Sequence, residues 1–421
     1  MSHTDREYDL VVWGATGVAG RFVSDHLTER YTADDLALAL GGRDEGHLRD
    51  IATELKARTD GWEHIPVVVG DATEPATLRA IAEDTHVVCT TVGPYTEYGT
   101  PLVEACIEAG TDYCDLTGEV TWMRKTVDRY HDAAVDAGAR IVHSCGYDSV
   151  PADIGTLLVQ SFATEAFDAP CDLVRVYLEG GRGSVSGGTL ASAAKLFEAA
   201  SADPVARETL RDPYSLAPPG EREGVDTGEQ HLPRRDPLRS DWTAPSPMAP
   251  VNERVIRRSN ALLGYPWGRG FRCAEVVPTG DSVGGAAAAG SIAAALGIGT
   301  VALSAGPVRE ALQRFVFPDP GEGPSRDEAE QGYFTVRLLG QGTNAAGPFL
   351  VEGTVAADRD PGYGATAIML GETAMCLVRD ETDSALNGGV LTPASGIGYP
   401  LIERLRNAGM TLTVREAPDE P

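Results

Sequence analysis

The chain opens with short apolar runs separated by amphipathic stretches. Tyr8–Trp13 is apolar and breaks at Gly14, an amphipathic stretch runs to about Tyr31, and Leu36–Leu40 is a second apolar run. Pro66–Asp71, Thr85–Val92, Asp112–Asp115 and Arg140–Ser144 continue the series, with helices expected at Pro101–Ala109 and Val127–Ala137. Short apolar runs bounded by turn residues read as buried strands, and amphipathic stretches as the helices that cover them. Six such repeats predict a doubly wound parallel sheet of the Rossmann type over residues 1–150. Its ligand crevice lies beyond the carboxyl ends of the strands.

From Pro151 the alternation is lost, and residues 151–421 are expected to form a second α/β (α+β) domain whose last helix packs back on the first. Strands are expected at Leu173–Leu178, Phe271–Val277, Gly332–Leu339, Phe349–Ala356 and Met410–Val414, with helices at Tyr363–Val378 and Tyr399–Ala408. Gly180–Gly188 is a Gly/Ser loop leading into a helix at Thr189–Ala200. Gly187, Gly188 and Thr189 are open between an anion site at that helix N-terminus and a plain capped turn. Pro213–Pro250 reads as an irregular excursion, with a lid as one use. Residues 282–308 carry no charge and are long enough to span a bilayer. They are mostly Ala and Gly, so a buried or dimer-seam helix is expected first. Peripheral membrane contact or shelter for an acyl chain comes second, and a transmembrane span last.

Composition narrows the function classes. Hydrophobic residues make up 42% and charged residues 23% of the 421, which is globular. Lys and Arg number 35 against 62 Asp and Glu, a net charge of −27. With no basic patch, so acidic a surface repels phosphate backbones and excludes nucleic acid as a partner. Lysines are limited to Lys56, Lys125 and Lys195, a composition similar to that of halophilic proteins. The 7 cysteines include no C-x-x-C pair, and the N-terminus is polar, so a cytoplasmic protein with free thiols is expected.

Between the first strand and helix lies Gly14-Ala15-Thr16-Gly17-Val18-Ala19-Gly20, a G-x-x-G-x-x-G variant of the dinucleotide fingerprint. Gly14 permits the tight turn, Gly17 lets the backbone approach a pyrophosphate, and Gly20 lets the helix pack closely. The second strand ends in Gly41-Gly42-Arg43, where NAD sites usually carry an acid. A guanidinium there suits a 2′-phosphate, which points to NADP; Asp44 supplies the acid one place late. Asp71 and Ala72 are expected at the adenine edge, and Val92, Gly93, Pro94 and Tyr95 beside the nicotinamide ribose. No Tyr precedes a Lys by four positions, and no H-x-E or C-x-x-C spacing suggests a metal. Acid candidates at the strand tips are Tyr95, Asp115, Glu119, Tyr147 and Asp148. Tyr147 and Asp148 follow the sixth strand and are the catalytic candidates. Their alternatives stay open: a helix N-cap for Asp148, packing against the second domain for Tyr147. Glu119 is an anchor for Trp122 and its loop.

Longer motifs join these. They include Val92-Gly-Pro-Tyr95, Gly99-x-Pro101-x-Val103-x-Ala105-Cys106, and Gly110-Thr-x-Tyr113-x-Asp115-x-Thr117-Gly-Glu119-x-x-Trp122. Cys145-Gly-Tyr147-Asp148-Ser149-x-Pro151-x-Asp153, Ser186-Gly-Gly-Thr189, Gly340-x-Gly342, Gly362-Tyr363-x-x-Thr366 and Gly389-Val390-x-Thr392-Pro-Ala394 follow. From about residue 8 to 410 the chain resembles the saccharopine dehydrogenase-like oxidoreductases, which include the mycobacterial trans-acting enoyl reductases. The resemblance implies an NADP-binding Rossmann domain with a second domain closing over the nicotinamide. It also implies reduction of an enoyl or related unsaturated group in a lipid-like substrate. Separately, the small residues of 282–308 permit close helix–helix approach, so a homodimer is expected. Two alternatives remain. A saccharopine-type imine reductase would want an Arg cluster, for which Arg175, Arg182, Arg257, Arg258, Arg269 and Arg272 are available unless they are surface pairs. The other is an NADP-binding, membrane- or lipid-associated protein without catalysis.

Overall fold

The computed structural model describes residues 6–183, 203–304 and 323–418. Beyond Gly183, the expected Gly/Ser loop with its Ser186–Thr189 motif lies outside them, as do the helix at Thr189–Ala200 and residues 305–308 of the uncharged segment. The first apolar runs become β1 (Tyr8–Trp13), β2 (Leu38–Gly42), β3 (Val67–Val69), β4 (Thr85–Thr90), β5 (Asp112–Asp115) and β6 (Arg140–Val142). Between them lie α1 (Val18–Arg30), α2 (Glu45–Arg58), α3 (Pro75–Glu83), α4 (Tyr95–Ala109) and α5 (Val120–Ala137). Parallel strands covered on both faces are apolar throughout, which is why Leu10, Val11, Val12, Leu38, Ala39 and Leu40 are all buried.

Two helices begin earlier than their apolar pattern predicts. α4 starts at Tyr95, with Pro101 inside it, because the Glu119 carboxylate accepts the Tyr95 and Thr96 N–H groups, each at 2.8 Å. α5 starts at Val120, one turn and more ahead of Val127.

The later chain comprises α6 (Val150–Phe167), β7 (Cys171–Arg182), α7 (Pro204–Arg211), β8 (Arg234–Arg235), β9 (Trp242–Pro245), α8 (Ala249–Leu262), β10 (Arg272–Gly280) and α9 (Val283–Ser304). Then come α10 (Arg326–Glu330), β11 (Tyr333–Asn344), β12 (Gly347–Ala357), a π turn at Pro361–Ala365, and α11 (Thr366–Val378). β13 (Gly389–Leu391), α12 (Pro393–Gly396), α13 (Tyr399–Asn407) and β14 (Thr411–Glu416) close the chain. The first sheet has the order β13-β6-β5-β4-β1-β2-β3 and the second β14-β12-β11-β7-β10-β9-β8. Every pair in the first sheet is parallel, and its strand order reverses between β1 and β4. The second is mixed: β7 and β10 run parallel, and β11 and β12 form a hairpin.

Three features depart from the pattern reading. β13 pairs with β6 through Gly389↔Arg140, Val390↔Ile141 and Leu391↔Val142, so a boundary at residue 150 does not separate the sheets. Helix α8 is rich in Arg, Asn and Glu yet buried almost throughout, which hides it from a search for apolar periodicity. α9 is not a core helix of this chain, since Val283, Ile298 and Val301 are 89%, 70% and 71% exposed. The 213–250 excursion is tied down: Asp236 is buried and bonds Arg175 at 2.7 Å and the Tyr177 hydroxyl at 2.8 Å.

Two buried carboxylates fasten the returning chain. Asp153 of α6 accepts the Ala394 N–H at 2.9 Å and the Ser259 hydroxyl, joining α6, α8 and the start of α12. Glu372 of α11 meets His26 Nε2 at 2.9 Å, the Tyr31 hydroxyl at 2.8 Å, Arg30 at 3.0 Å and Arg404 at 3.3 Å. Burial alone would raise the Glu372 pKa; the His26 and Tyr31 bonds and the charge of Arg30 outweigh it and hold it below the usual range. A depressed carboxyl pKa stabilises the fold above its unfolded value, and that stability is lost as pH falls through the native value. Glu372→Gln should therefore cost about 3 kcal/mol near neutral pH, as removal of one partner from a buried ion pair does. In urea melts, the gap to the parent should close below about pH 4.

Candidate active site

The carboxyl ends of the first sheet bring together the loops after β1, β4 and β6. Gly14 sits at φ +93°, and a Cβ there would lie 2.7 Å from Val92 and 2.9 Å from the Thr91 hydroxyl. The β1 and β4 loops thus touch, and the Thr91 N–H extends the pairing to the Trp13 carbonyl at 2.9 Å. At Gly20 a Cβ would lie 2.2 Å from the Gly14 carbonyl oxygen, so α1 can seat on the turn only with glycine there. Gly17 is the N-cap residue, and no side chain caps the helix. With Ala15 and Thr16 in the turn and Val18 opening the helix, the first-turn amides remain for an anion. This cradle fits a dinucleotide pyrophosphate.

At the end of β2, Arg43 is exposed and makes no ion pair with a carboxylate among the described residues. Asp44 is committed elsewhere: its side chain accepts the His47 N–H at 3.0 Å and caps α2. The acid expected to compete for a ribose hydroxyl is therefore a helix cap, and the cation beside it stays uncommitted to any carboxylate among the described residues. Asp71 accepts the Thr73 hydroxyl at 2.6 Å and its N–H at 2.8 Å. These bonds hold its pKa below the usual range, with a smaller share from Arg43, so the two side chains border one edge. Ala72 is buried beside them.

Beyond β4, Val92, Gly93 and Pro94 are at least partly exposed, but Tyr95 is not. Its ring is buried and stacks on Trp122 with centroids 5.5 Å apart, and its hydroxyl reaches the Thr90 carbonyl at 3.2 Å. Tyr95 is thus a packing residue whose contribution to the loop is its backbone. Glu119 fastens that loop through Tyr95 and Thr96. Asp115, another acid candidate, is spent on the Tyr113 hydroxyl (2.9 Å), His143 Nδ1 (2.8 Å) and the N–H groups of Thr117 (3.0 Å) and Ser144 (3.1 Å).

The loop after β6 is different. The Tyr147 N–H donates to the Thr366 hydroxyl at 3.1 Å, and its ring meets Phe334 of the second sheet edge-on at 4.8 Å. Burial pushes the Tyr147 hydroxyl pKa up, with Glu275 and Asp148 adding to the shift. Asp148 has no hydrogen-bond partner among the described residues, and burial pushes its carboxyl up to about 6. It does not cap α6: Ser149 holds the N-cap position, and its hydroxyl bonds Asn252 at 2.8 Å.

Sequence reasoning missed Glu275. This residue of β10 is fully buried and accepts from the Ser246 hydroxyl and the Asn252 amide. Burial lifts it to about 7 against those two bonds, with Glu253 and Asp148 raising it further. The available signal was an acid sharing the inward face of a strand with Cys273, two positions earlier. The arginines proposed as an anion receptor are largely consumed. Arg175 pairs with Asp236, and Arg257 with Asp226 and Glu253, both at 2.9 Å. Arg258 is buried against the carbonyls of Leu216 and Val390, and Arg269 lies on the surface near Glu221. Arg175, Arg257 and Arg258 are therefore interior groups and not surface pairs.

Residues 10–142 match the family described as the saccharopine dehydrogenase NADP binding domain. A Mycobacterium tuberculosis protein provisionally named a trans-acting enoyl reductase is 40% identical, over 98% of this chain and 98% of its own. A second M. tuberculosis protein, named trans-acting enoyl reductase, is 38% identical over 98% of this chain and 99% of its own. Among solved structures, apo saccharopine dehydrogenase (L-Glu forming) from Saccharomyces cerevisiae shares the fold at a TM-score of 0.55. It covers 97% of this chain and 100% of that one, at 15% identity. The chain belongs to the trans-acting enoyl reductase family of saccharopine dehydrogenase-like oxidoreductases, with an NADP-binding first domain.

Proposed function

We propose that the protein is an NADPH-dependent reductase of an enoyl or related unsaturated group in a lipid-like substrate. The observation that carries this reading is the set of groups around the loop after β6. Asp148, Tyr147 and Glu275 are protonatable, while the interior arginines are committed to carboxylates and carbonyls. A substrate with several carboxylates, as imine reduction of the saccharopine type requires, would meet repulsion there and no uncommitted cation among these interior arginines. A neutral acyl group would not. The names of the relatives support the same choice.

Bound NADPH supplies a hydride; the Gly14–Gly20 turn would hold its pyrophosphate and Arg43 its 2′-phosphate. Saturating a carbon–carbon double bond then needs one proton at the neighbouring carbon. Asp148 holds that proton: burial keeps its carboxyl partly protonated near neutral pH, and no competing acceptor engages it. Tyr147, fixed by Thr366 and Phe334, forms a wall beside it and keeps its own proton. A cytoplasmic setting is part of the proposal, supported by seven cysteines that are all free and buried.

Two experiments test this reading. Arg43→Ala should weaken NADPH binding about tenfold or more, the usual worth of charge-assisted hydrogen bonds, and leave NADH binding unchanged. Equal losses for both cofactors in a fluorescence titration would remove the 2′-phosphate assignment. Asp148→Asn should lower single-turnover NADPH oxidation with long-chain 2-enoyl thioesters by about a hundredfold, with cofactor affinity retained. In the parent enzyme the rate should fall as pH rises through about 6, where Asp148 loses its proton, and this limb should vanish in the variant. Full activity in Asp148→Asn together with its loss in Tyr147→Phe would transfer the proton to Tyr147.

A further inference from the structure

We propose that α9 docks the protein on a lipid bilayer as a monotopic element, buried in one leaflet without crossing it. The inference is independent of the proposed reaction. α9 has 22 residues, about 33 Å of helix at the usual rise, and not one charged side chain. Its first turns are seated on β9 and β10. A Cβ at Gly285 would lie 2.4 Å from the Gly280 carbonyl oxygen, and Ala289 is fully buried. Beyond Ala289 no described residue of the helix is buried, and Ile298 and Val301 are 70% and 71% exposed.

The distribution of apolar groups selects the occupant. A seam with a second copy needs one apolar stripe and leaves the opposite face to water, so that face carries polar residues. Here Ile292, Leu296, Ile298, Val301 and Leu303 are interspersed with Ala and Gly around the whole circumference, and the polar breaks are only Ser291, Thr300 and the terminal Ser304. A helix apolar on every side is at rest only in an apolar medium that surrounds it.

The foot of the helix carries a second, independent sign. Arg234 and Arg235 of β8 are exposed, and neither pairs with a carboxylate among the described residues. Arg235 lies over the Trp242 ring at 5.1 Å and donates to the carbonyl of Asp281, just ahead of the helix, at 3.0 Å. Two adjacent cations and an indole stand at this one place on a protein of net charge −27. That is the composition of a membrane–water interface, with the arginines at headgroup level and the indole at the boundary.

Connectivity excludes a span. The chain leaves the body after Ala289 and is back on it at Gly323, where a Cβ would lie 2.4 Å from Val18 of α1. The intervening sequence after the helix carries Arg309, Glu310, Arg314, Asp319 and Glu322. Returning that stretch through hydrocarbon would bury five charges, whereas a helix held in one leaflet keeps both its ends on the same side.

The test is flotation of the full chain with preformed vesicles, either of phosphatidylcholine alone or with a minor share of phosphatidylglycerol. The parent protein should float with both, and more completely with the anionic vesicles. Ile298→Glu combined with Val301→Glu should lower the bound fraction about tenfold with NADPH binding unchanged, which shows an intact fold. Arg234→Glu combined with Arg235→Glu should erase the preference for anionic vesicles and keep the remainder. Absence of the parent from the floated fraction in both lipids would overturn the proposal. So would undiminished flotation of the Ile298/Val301 variant. A lipid-free dimer by light scattering that the same two substitutions dissociate, without vesicle binding by the parent, would assign α9 to a second copy instead.

Discussion

The structure turns on three residue pairs at the edge of the first sheet. Gly389–Leu391 lies parallel to Arg140–Val142, so the chain that leaves the sheet after β6 must come back to complete it. Everything between, including the whole of β7 to β12, is a closed excursion with both ends on one body. A three-residue strand is weak alone, and buried carboxylates hold it and its neighbours in place. Asp153 binds the first turn after β13, and Glu372 gathers His26, Arg30, Tyr31 and Arg404 from elements far apart in sequence. The loop carrying Tyr147 and Asp148 sits where the chain departs. Its position is therefore set by both sheets: Thr366 and Phe334 on one side, Asp115 and Leu116 on the other.

A protein with 62 acidic residues has also placed several of them where water cannot reach. Asp153, Glu253 and Glu275 are all buried, and burial raises each toward about 7. Asp153 and Glu372 are met by enough donors to serve as fasteners. Asp148 has none among the described residues, which separates it from the others. A half-buried carboxyl without a donor keeps its proton more readily, which marks Asp148 as the candidate chemical group among these acids.

Strands buried on both faces are written as uninterrupted apolar runs, so β1 to β6 could be read directly, as could the glycine turn and Arg43. What could not be read depends on residues distant in sequence. Pro101 looks like a helix start, and only Glu119, from another loop, moves that start to Tyr95. α8 hides because Glu253, Arg254, Arg257 and Arg258 are polar in the sequence yet buried in the fold by mutual pairing and carbonyl contacts. Tyr95 and Asp115 stand at strand tips as expected but face inward, a direction that position along the chain does not specify. Glu275 is one acid in an ordinary strand, and its meaning comes from Asn252 and Asp148 across the junction. For α9, apolar composition was plain, but composition does not say which apolar surroundings a helix has.

The returning strand also bears on how the protein is made. The first 150 residues contain the nucleotide turn, but β6 has an open edge until Gly389–Leu391 arrives. α11, which contacts β4, β5 and α1, is likewise translated late. At ribosomal speeds of about 5–20 residues per second, that leaves an unfinished sheet waiting for tens of seconds. During this interval an unpaired parallel edge and an uncovered apolar face are presented to solvent, and α9 emerges before either is closed. An open strand edge beside an uncovered apolar face is the kind of surface that chaperones shield until the last strand arrives.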